Sequence, residues 1–293
     1  MELHQLRYFA KVAELGHFTR AAEACGVSQP SLSQAIAKLE EEVGKPLFER
    51  LGRGVRLTEA GVKLRDRASH IVRLVDEARS TLTTAPDAGR VVVAAIPTVA
   101  PYLLPKALAA FAAACPQAEV EVIEETTDRA VGRTVAGEAD LLVAALPLRH
   151  DDMHFEPLLT EELLAVLPAT HPLAAKPRVT LKELSAERFI LLNEAHCLSE
   201  TTLAFCARRN SSPLVTARMH QLTTVLELVR LGQGVSLIPE MAAAADPSKH
   251  RVYRPVAGEK PTRTLALGWS TRRYHAPVFG RFVEALRAAA RLG

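Results

Sequence analysis

Long apolar runs are missing from this sequence: no stretch approaches the ~18 uninterrupted apolar residues that a membrane-spanning helix needs. The N-terminus, Met1-Glu2-Leu3-His4-Gln5-Leu6-Arg7, carries no apolar signal core, which argues against secretion. Cysteine is scarce. Cys25, Cys115, Cys197 and Cys206 are four in 293 residues, far too few for a disulfide scaffold. Together these absences imply no membrane partner and a reducing, cytoplasmic setting, where a disulfide would act as a switch rather than a staple. A strong excess of one charge is also lacking. The net charge is +3, and residues 1–67 hold eleven Lys/Arg against nine Asp/Glu. Any affinity for nucleic acid therefore depends on where the cations sit, not on how many there are. No Gly-rich phosphate loop or Ser–His–Asp constellation stands out, and His4, His17, His196 and His220 show no metal-ligand spacing with the cysteines. Neither enzymatic turnover nor a metal or other cofactor is expected.

What is present is a globular balance, 48% hydrophobic and 24% charged, in a chain long enough for two or three domains. Leu6, Phe9, Ala10, Val12 and Ala13 recur at helix spacing and Gly16 ends that helix. Thr19 is the expected cap of a second, alanine-rich helix, followed by a tight turn at Gly26-Val27. Ser28 caps a third helix with Pro30 in its first turn, and Leu32, Ile36 and Leu39 form its buried stripe to about Glu42. This order is that of a helix-turn-helix. The solvent side of the third helix carries Gln29, Ser31, Ser33, Gln34 and Lys38, short or amide side chains that suit base edges in a major groove. An ordinary three-helix bundle with a polar face is the plain alternative.

Leu47-Phe48-Glu49-Arg50 and Arg53-Gly54-Val55-Arg56-Leu57-Thr58 are two short extended runs. With Arg50, Arg53 and Arg56 they read as a β-wing against phosphates, or more plainly as a solvated hairpin. From Thr58 to about Thr84 a long helix is expected, capped at Thr58-Glu59. Its stripe of Val62, Leu64, Ile71, Leu74, Val75, Ala78 and Leu82 needs the same helix of a second chain to cover it. Such a pair would offer two reading helices to double-stranded DNA. A polar hinge, Thr84–Gly89, follows.

Beyond the hinge the pattern changes. Apolar or alternating runs at Val91–Ile96, Glu119–Glu124, Leu141–Ala145, Leu163–Leu167, Phe189–Leu192, Val235–Ile238 and Thr264–Ser270 read as strands. Helices are expected at Leu103–Cys115, Ala130–Ala136, Cys197–Arg209, Thr223–Leu231 and Pro277–Ala290. The alternation implies parallel α/β layers in two units, with a ligand cleft between them at strand C-terminal ends.

The quoted segments resemble the LysR-type transcriptional regulators. The likeness runs through Leu6–Phe9, Gly16–Ala22, Val27–Ser33, Leu39-Glu40, Gly44, Leu47–Arg50 and Leu57–Gly61, and returns at Gly232–Pro239. It implies an α/β architecture: a winged helix-turn-helix at 1–58, a linker and dimerisation helix at 59–88, and an effector domain at 89–293. The effector domain would be of periplasmic-binding-protein type, with subdomain I at about 89–162 and 265–293 and subdomain II at about 163–264. It also implies a homodimer to homotetramer, contact with RNA polymerase, and a DNA-facing set of Thr19, Ser28, Gln29, Pro30, Ser31, Ser33, Gln34, Lys38, Arg50, Arg53 and Arg56.

Within the family, Ile96–Pro105, His196-Cys197-Leu198, Phe205-Cys206 and Arg263-Thr264 are similar to the peroxide-sensing activators. That likeness implies Cys197 and Cys206 as a redox pair, with Thr98 donating a hydrogen bond to hydrogen peroxide and His196 and Arg263 beside the sulfur. The chemistry is coherent: a thiolate attacks peroxide, and a helix N-terminus at Cys197 favours the anion. On a continuous helix nine residues rise ~13.5 Å and place the two side chains on opposite faces, whereas a disulfide needs Cα atoms within about 7 Å. Oxidation would therefore have to melt or re-route 197–206. Two alternatives stand beside this: the cysteines as small core residues, and a small organic metabolite held in the cleft near Thr98. A transport role for the α/β part is disfavoured by the attached helix-turn-helix, and Cys25 and Cys115 read as core thiols.

Overall fold

The computed structural model describes residues 1–51, 54–83, 88–193 and 197–291, which gather into two compact units, Met1–Thr84 and Ala85–Gly293. In the first unit α1 (Leu3–Leu15), α2 (Phe18–Ala24) and α3 (Gln29–Val43) pack around Leu6, Phe9, Val12, Leu32, Ile36 and Leu39. Gly16 closes α1 in the left-handed region, φ 63°, with its amide on the Val12 carbonyl, where a side chain would be strained. The Gly16 carbonyl in turn accepts the Val55 amide at 3.0 Å, which fastens the hairpin of β1 (Phe48–Leu51) and β2 (Gly54–Leu57) to the end of α1. Phe48 adds its ring to those of Phe9 and Phe18, at 5.2 and 5.7 Å between centroids.

Thr58 caps α4 (Glu59–Thr83), its Oγ1 accepting the Gly61 amide at 3.0 Å. A Cβ at Gly61 would stand 2.2 Å from the Leu47 carbonyl oxygen, so only glycine lets the helix start lie against the hairpin. One expected cap is corrected: α2 starts at Phe18, with His17 extended at φ −150° as the N-cap and Thr19 inside the first turn. Ser28 does cap α3, accepting the Ser31 amide at 3.3 Å.

The second unit opens with β3 (Ala88–Ala95), α5 (Ala100–Ala114), β4 (Gln117–Glu124), α6 (Thr127–Val135) and β5 (Leu141–Ala145). Then come β6 (Met153–Pro168), α7 (Leu181–Ser185), β7 (Arg188–Leu192), α8 (Cys197–Ala207), β8 (Leu214–Met219) and α9 (Leu222–Arg230). The chain finishes with β9 (Ser236–Pro239), α10 (Glu240–Ala245), β10 (Arg251–Arg254), β11 (Thr262–Ser270) and α11 (Pro277–Arg291). One seven-stranded sheet runs in the order β10-β6-β11-β5-β3-β4, with β9 also on β6, and β7 pairs with β8 apart from it.

The expectation of parallel layers holds for β3 with β4 and β5, and for β7 with β8. β11 is antiparallel to both β5 and β6, because it returns from the far end of the unit. The run expected as a strand at Leu163–Leu167 is the last third of β6, a strand of sixteen residues. Two apolar cores result. Val93, Leu141, Val143, Leu265, Phe111 and Phe282 anchor one, and Leu163, Leu167, Phe189, Ile190, Phe205 and Val229 the other. Of the hinge Thr84–Gly89, residues 84–87 lie outside the described residues, and Ala88 and Gly89 already belong to β3.

Candidate functional site

On α3 the side chains of Gln29, Pro30, Ser31, Gln34 and Lys38 are exposed and Ser33 is half-buried, while Leu32, Ile36 and Leu39 hold the helix from behind. Without a partner the polar groups engage one another: Ser28 Oγ lies 2.7 Å from Ser31 Oγ, and Gln29 Nε2 donates to Ser33 Oγ at 2.8 Å. An amide and hydroxyls so arranged exchange these local bonds for base edges at little cost. Thr19 is exposed in the first turn of α2. In the hairpin Arg56 is tied to Glu49 at 2.7 Å, so its contact with a phosphate would compete with that pair. Arg50 is in β1, its side chain outside what is described, and Arg53 lies outside the described residues altogether.

Sequence reasoning missed Glu40. Its Oε1 accepts the amides of Leu47 and Phe48 at 2.7 and 3.2 Å, binding the end of α3 to the start of the hairpin. A carboxylate seven and eight residues ahead of its amide partners has no sequence signature. On the 25-residue α4, Val62, Ile71 and Leu74 are exposed, and Ile71 and Leu74 share one face.

In the second unit Cys197 is the first residue of α8 and half-buried, and Cys206 is buried in the second core. Both are free thiols, and burial pushes the Cys206 thiol up. Cys197 packs instead against the first core, so the two sulfurs belong to different cores at the two ends of one unbroken helix. Cys115 is buried as expected, whereas Cys25 is only half-buried.

Thr98 sits in the turn between β3 and α5, 1% exposed, and Arg263 on β11 is 2% exposed. Arg263 donates to Thr98 Oγ1 at 2.7 Å, to the Thr98 carbonyl at 3.0 Å and to Glu161 Oε1 at 2.8 Å. The other Glu161 oxygen takes the Met241 amide at 2.9 Å. The fold thus joins Thr98 to Arg263 and adds Glu161, which the sequence did not single out. The guanidinium charge is neutralised by Glu161, and the Thr98 hydroxyl, as acceptor from Arg263, keeps its proton to donate elsewhere. Among the described residues no hydrogen bond joins Cys197 to Thr98 or Arg263.

Cys197 opens on a cleft of about 360 Å³ lined by Thr127, Asp128, Pro147, Leu148, Glu200 and Thr201. Thr127, also unflagged by the sequence, has its Oγ1 buried with no hydrogen-bond partner among the described residues. His196 lies outside the described residues. Among the described residues no group of three or more His, Cys, Asp or Glu is placed to hold a metal, and no helix is long and apolar enough to cross a membrane.

A hairpin-braced reading helix and a two-core α/β unit with a cleft define a DNA-binding regulator with an effector domain. The family description "Bacterial regulatory helix-turn-helix protein, lysR family" matches residues 3–62, and "LysR substrate binding domain" matches residues 84–291. The chain belongs to the LysR family, whose members are DNA-binding, oligomerising transcription regulators and not enzymes.

Within the family it is similar to several OxyR proteins. It is 32% identical to the DNA-binding transcriptional dual regulator OxyR of Escherichia coli strain K12, over 98% of this chain and 95% of that one. A full-length OxyR variant from Pseudomonas aeruginosa superposes with a TM-score of 0.82 at 32% identity, covering 100% of this chain and 95% of that chain. A peroxide-bound OxyR mutant of Corynebacterium glutamicum gives a TM-score of 0.68 at 30% identity, covering 99% and 93%.

Proposed function

We propose that this regulator senses hydrogen peroxide through Cys197 and Cys206. The observation that carries the reading is the unbroken α8, with a half-buried thiol facing a cleft at its first residue and a buried thiol nine residues on. The Cys197 thiolate attacks one peroxide oxygen. The O–O bond breaks, the sulfur becomes a sulfenic acid, and hydroxide leaves and is protonated to water. The Cys206 thiol then displaces the sulfenic oxygen as a second water, forming the disulfide. Some 13.5 Å of helix separates the two backbone positions, so the second step proceeds only as α8 unwinds. Unwinding also brings Cys206 out of the core that suppresses its ionisation. Thr98 serves as hydrogen-bond donor toward peroxide, Arg263 holds Thr98 in place, and His196 is the sequence neighbour of Cys197.

On the DNA side, Gln29, Ser31, Ser33, Gln34 and Lys38 read base edges. Thr19, the Ser28-Pro30 helix start and Arg50, Arg53 and Arg56 meet the backbone of double-stranded DNA. The exposed Ile71 and Leu74, three residues apart on one face, pair α4 with its copy in a homodimer that associates further to a homotetramer. The regulator works in the cytoplasm and meets RNA polymerase at its promoters. The boundaries that serve this reading are 1–58, 59–88 and 89–293.

Brief dilute peroxide followed by alkylation and mass spectrometry tests it. An intramolecular Cys197–Cys206 disulfide is expected, and Cys197→Ser abolishes both the bond and the change in DNA binding. A second reading has one observation behind it: the cleft beside Cys197 is large enough for a small organic effector. Two thiols left free by peroxide, with DNA binding that responds to metabolites, would establish that reading and sink the first.

A further inference from the structure

The inward face of α8 is unusual in what it buries. Leu198, Ser199, Thr202, Phe205 and Cys206 point into the second core, so two of five buried positions are hydroxyls. Ser199 is provided for: its Oγ donates to the Leu192 carbonyl at 2.6 Å. Thr202 is not. It is wholly buried, 0% exposed, and its Oγ1 finds no hydrogen-bond partner among the described residues. The space beside it, walled by Leu191, Leu198, Leu222, Val225, Leu237 and the buried Ser236, has no void large enough for a water molecule. Its neighbour Thr201 donates its hydroxyl to the Cys197 carbonyl, one turn back, at 2.9 Å, a back-bond that weakens a helix slightly. A β-branched pair in mid-helix adds to that weakness.

We infer that Thr202 is the residue that sets how readily the redox helix comes apart, and therefore the point at which the Cys197–Cys206 pair closes. The inference rests on the peroxide-sensing reading but makes a separate claim. A buried hydroxyl without a partner penalises the folded helix and regains its hydrogen bonds to water when α8 unwinds. The dithiol form thus carries a destabilising element that the disulfide form sheds. Thr202 acts on the helix and not on the reacting sulfur, so it is a positioning residue.

The test uses the full-length protein in mixtures of reduced and oxidised glutathione, where one dithiol and one glutathione disulfide yield the protein disulfide and two glutathione thiols. Thr202→Val keeps the shape and removes the hydroxyl. It is expected to lower the disulfide-to-dithiol ratio about tenfold at a fixed glutathione mixture. Ser199→Ala, which orphans the Leu192 carbonyl, moves the ratio the other way. In a Cys206→Ser background, Thr202→Val leaves the rate of Cys197 oxidation by peroxide within about twofold. An unchanged or raised ratio in Thr202→Val, or a matching change in the Cys197 rate, overturns the assignment. If the parent protein forms no disulfide at all, the sensing proposal fails by itself. Amide hydrogen exchange along α8 then judges Thr202: slower exchange in Thr202→Val upholds its role, and unchanged or faster exchange ends it.

Discussion

Glu161→Gln is the most demanding perturbation of the buried network. The Arg263 and Glu161 side chains are 0% and 6% exposed and lie 2.7 Å apart. Glutamine keeps the volume but cancels the charge that balances Arg263. It also offers only one acceptor oxygen, whereas the carboxylate serves both Arg263 and the Met241 amide. One N–H donor therefore faces another, and a buried guanidinium is left uncompensated. Breaking a buried pair from one side costs about 3–5 kcal/mol. For a unit of about 200 residues each kcal/mol moves the melting midpoint by about 2–4 °C, so a fall of roughly 6–20 °C is expected. Calorimetry of the full chain reads the transition of the α/β unit. The double variant with Arg263→Met should recover about 2 kcal/mol or more of the summed single losses, because no unpaired charge remains. A Glu161→Gln protein melting within about 2 °C of the parent, or losses that simply add, would refute the claim that the pair is a mutually dependent buried unit.

Gly61→Ala drives a methyl into the Leu47 carbonyl and should destabilise the N-terminal unit by about 1–3 kcal/mol, seen as an earlier melting transition and lost operator binding. Burial pushes the Asp246 carboxyl up, but bonds from Arg251, Tyr253 and the Ser248 amide outweigh it and hold the group below its usual range. Its folded value lies below its unfolded one, so its contribution is complete above about pH 4 and drains as the pH falls through the folded value. Asp246→Asn should flatten that acid limb in urea-midpoint measurements, and an unaltered limb would assign it to other carboxylates. Gln29→Ala and Ser33→Ala should relax sequence choice by about 1–3 kcal/mol per site while Arg53→Ala weakens binding to all sequences and lowers the salt slope by about one. Filter binding to operator and random DNA at several salt concentrations separates the two classes.

The N-terminal unit was legible because its signals are local: the Leu6, Phe9, Val12 stripe, Gly16, and Ser28 with Pro30 each act within one turn. Where two local signals competed, the better cap former on paper lost. Thr19 is a stronger capper than His17, yet His17 takes the extended conformation and the helix begins a residue before Thr19. The first ten residues of β6, Met153–Glu162, were invisible because Pro157 and the Glu161-Glu162 pair read as loop. Glu161 is acceptable there only because Arg263, 102 residues on, neutralises it. The same distance effect hid the link from Arg263 to Thr98, which spans 165 positions. The α8 register was legible, since it followed from the place of Cys197 before a helical run. The orphaned hydroxyl of Thr202 was not, because burial on that face depends on which core the helix leans on.

β6 belongs to both cores: Phe155, Leu158 and Leu159 lie against one, and Leu163, Ala165, Val166 and Leu167 are inside the other. Before it leaves the first, its ladder with β11 skips Leu158, and the pairing steps from Leu265 to Ala266. An extra residue of this kind bends the strand and increases its local twist. The two cores therefore share one strand, so a displacement of either is carried to the other along continuous backbone rather than across a loop.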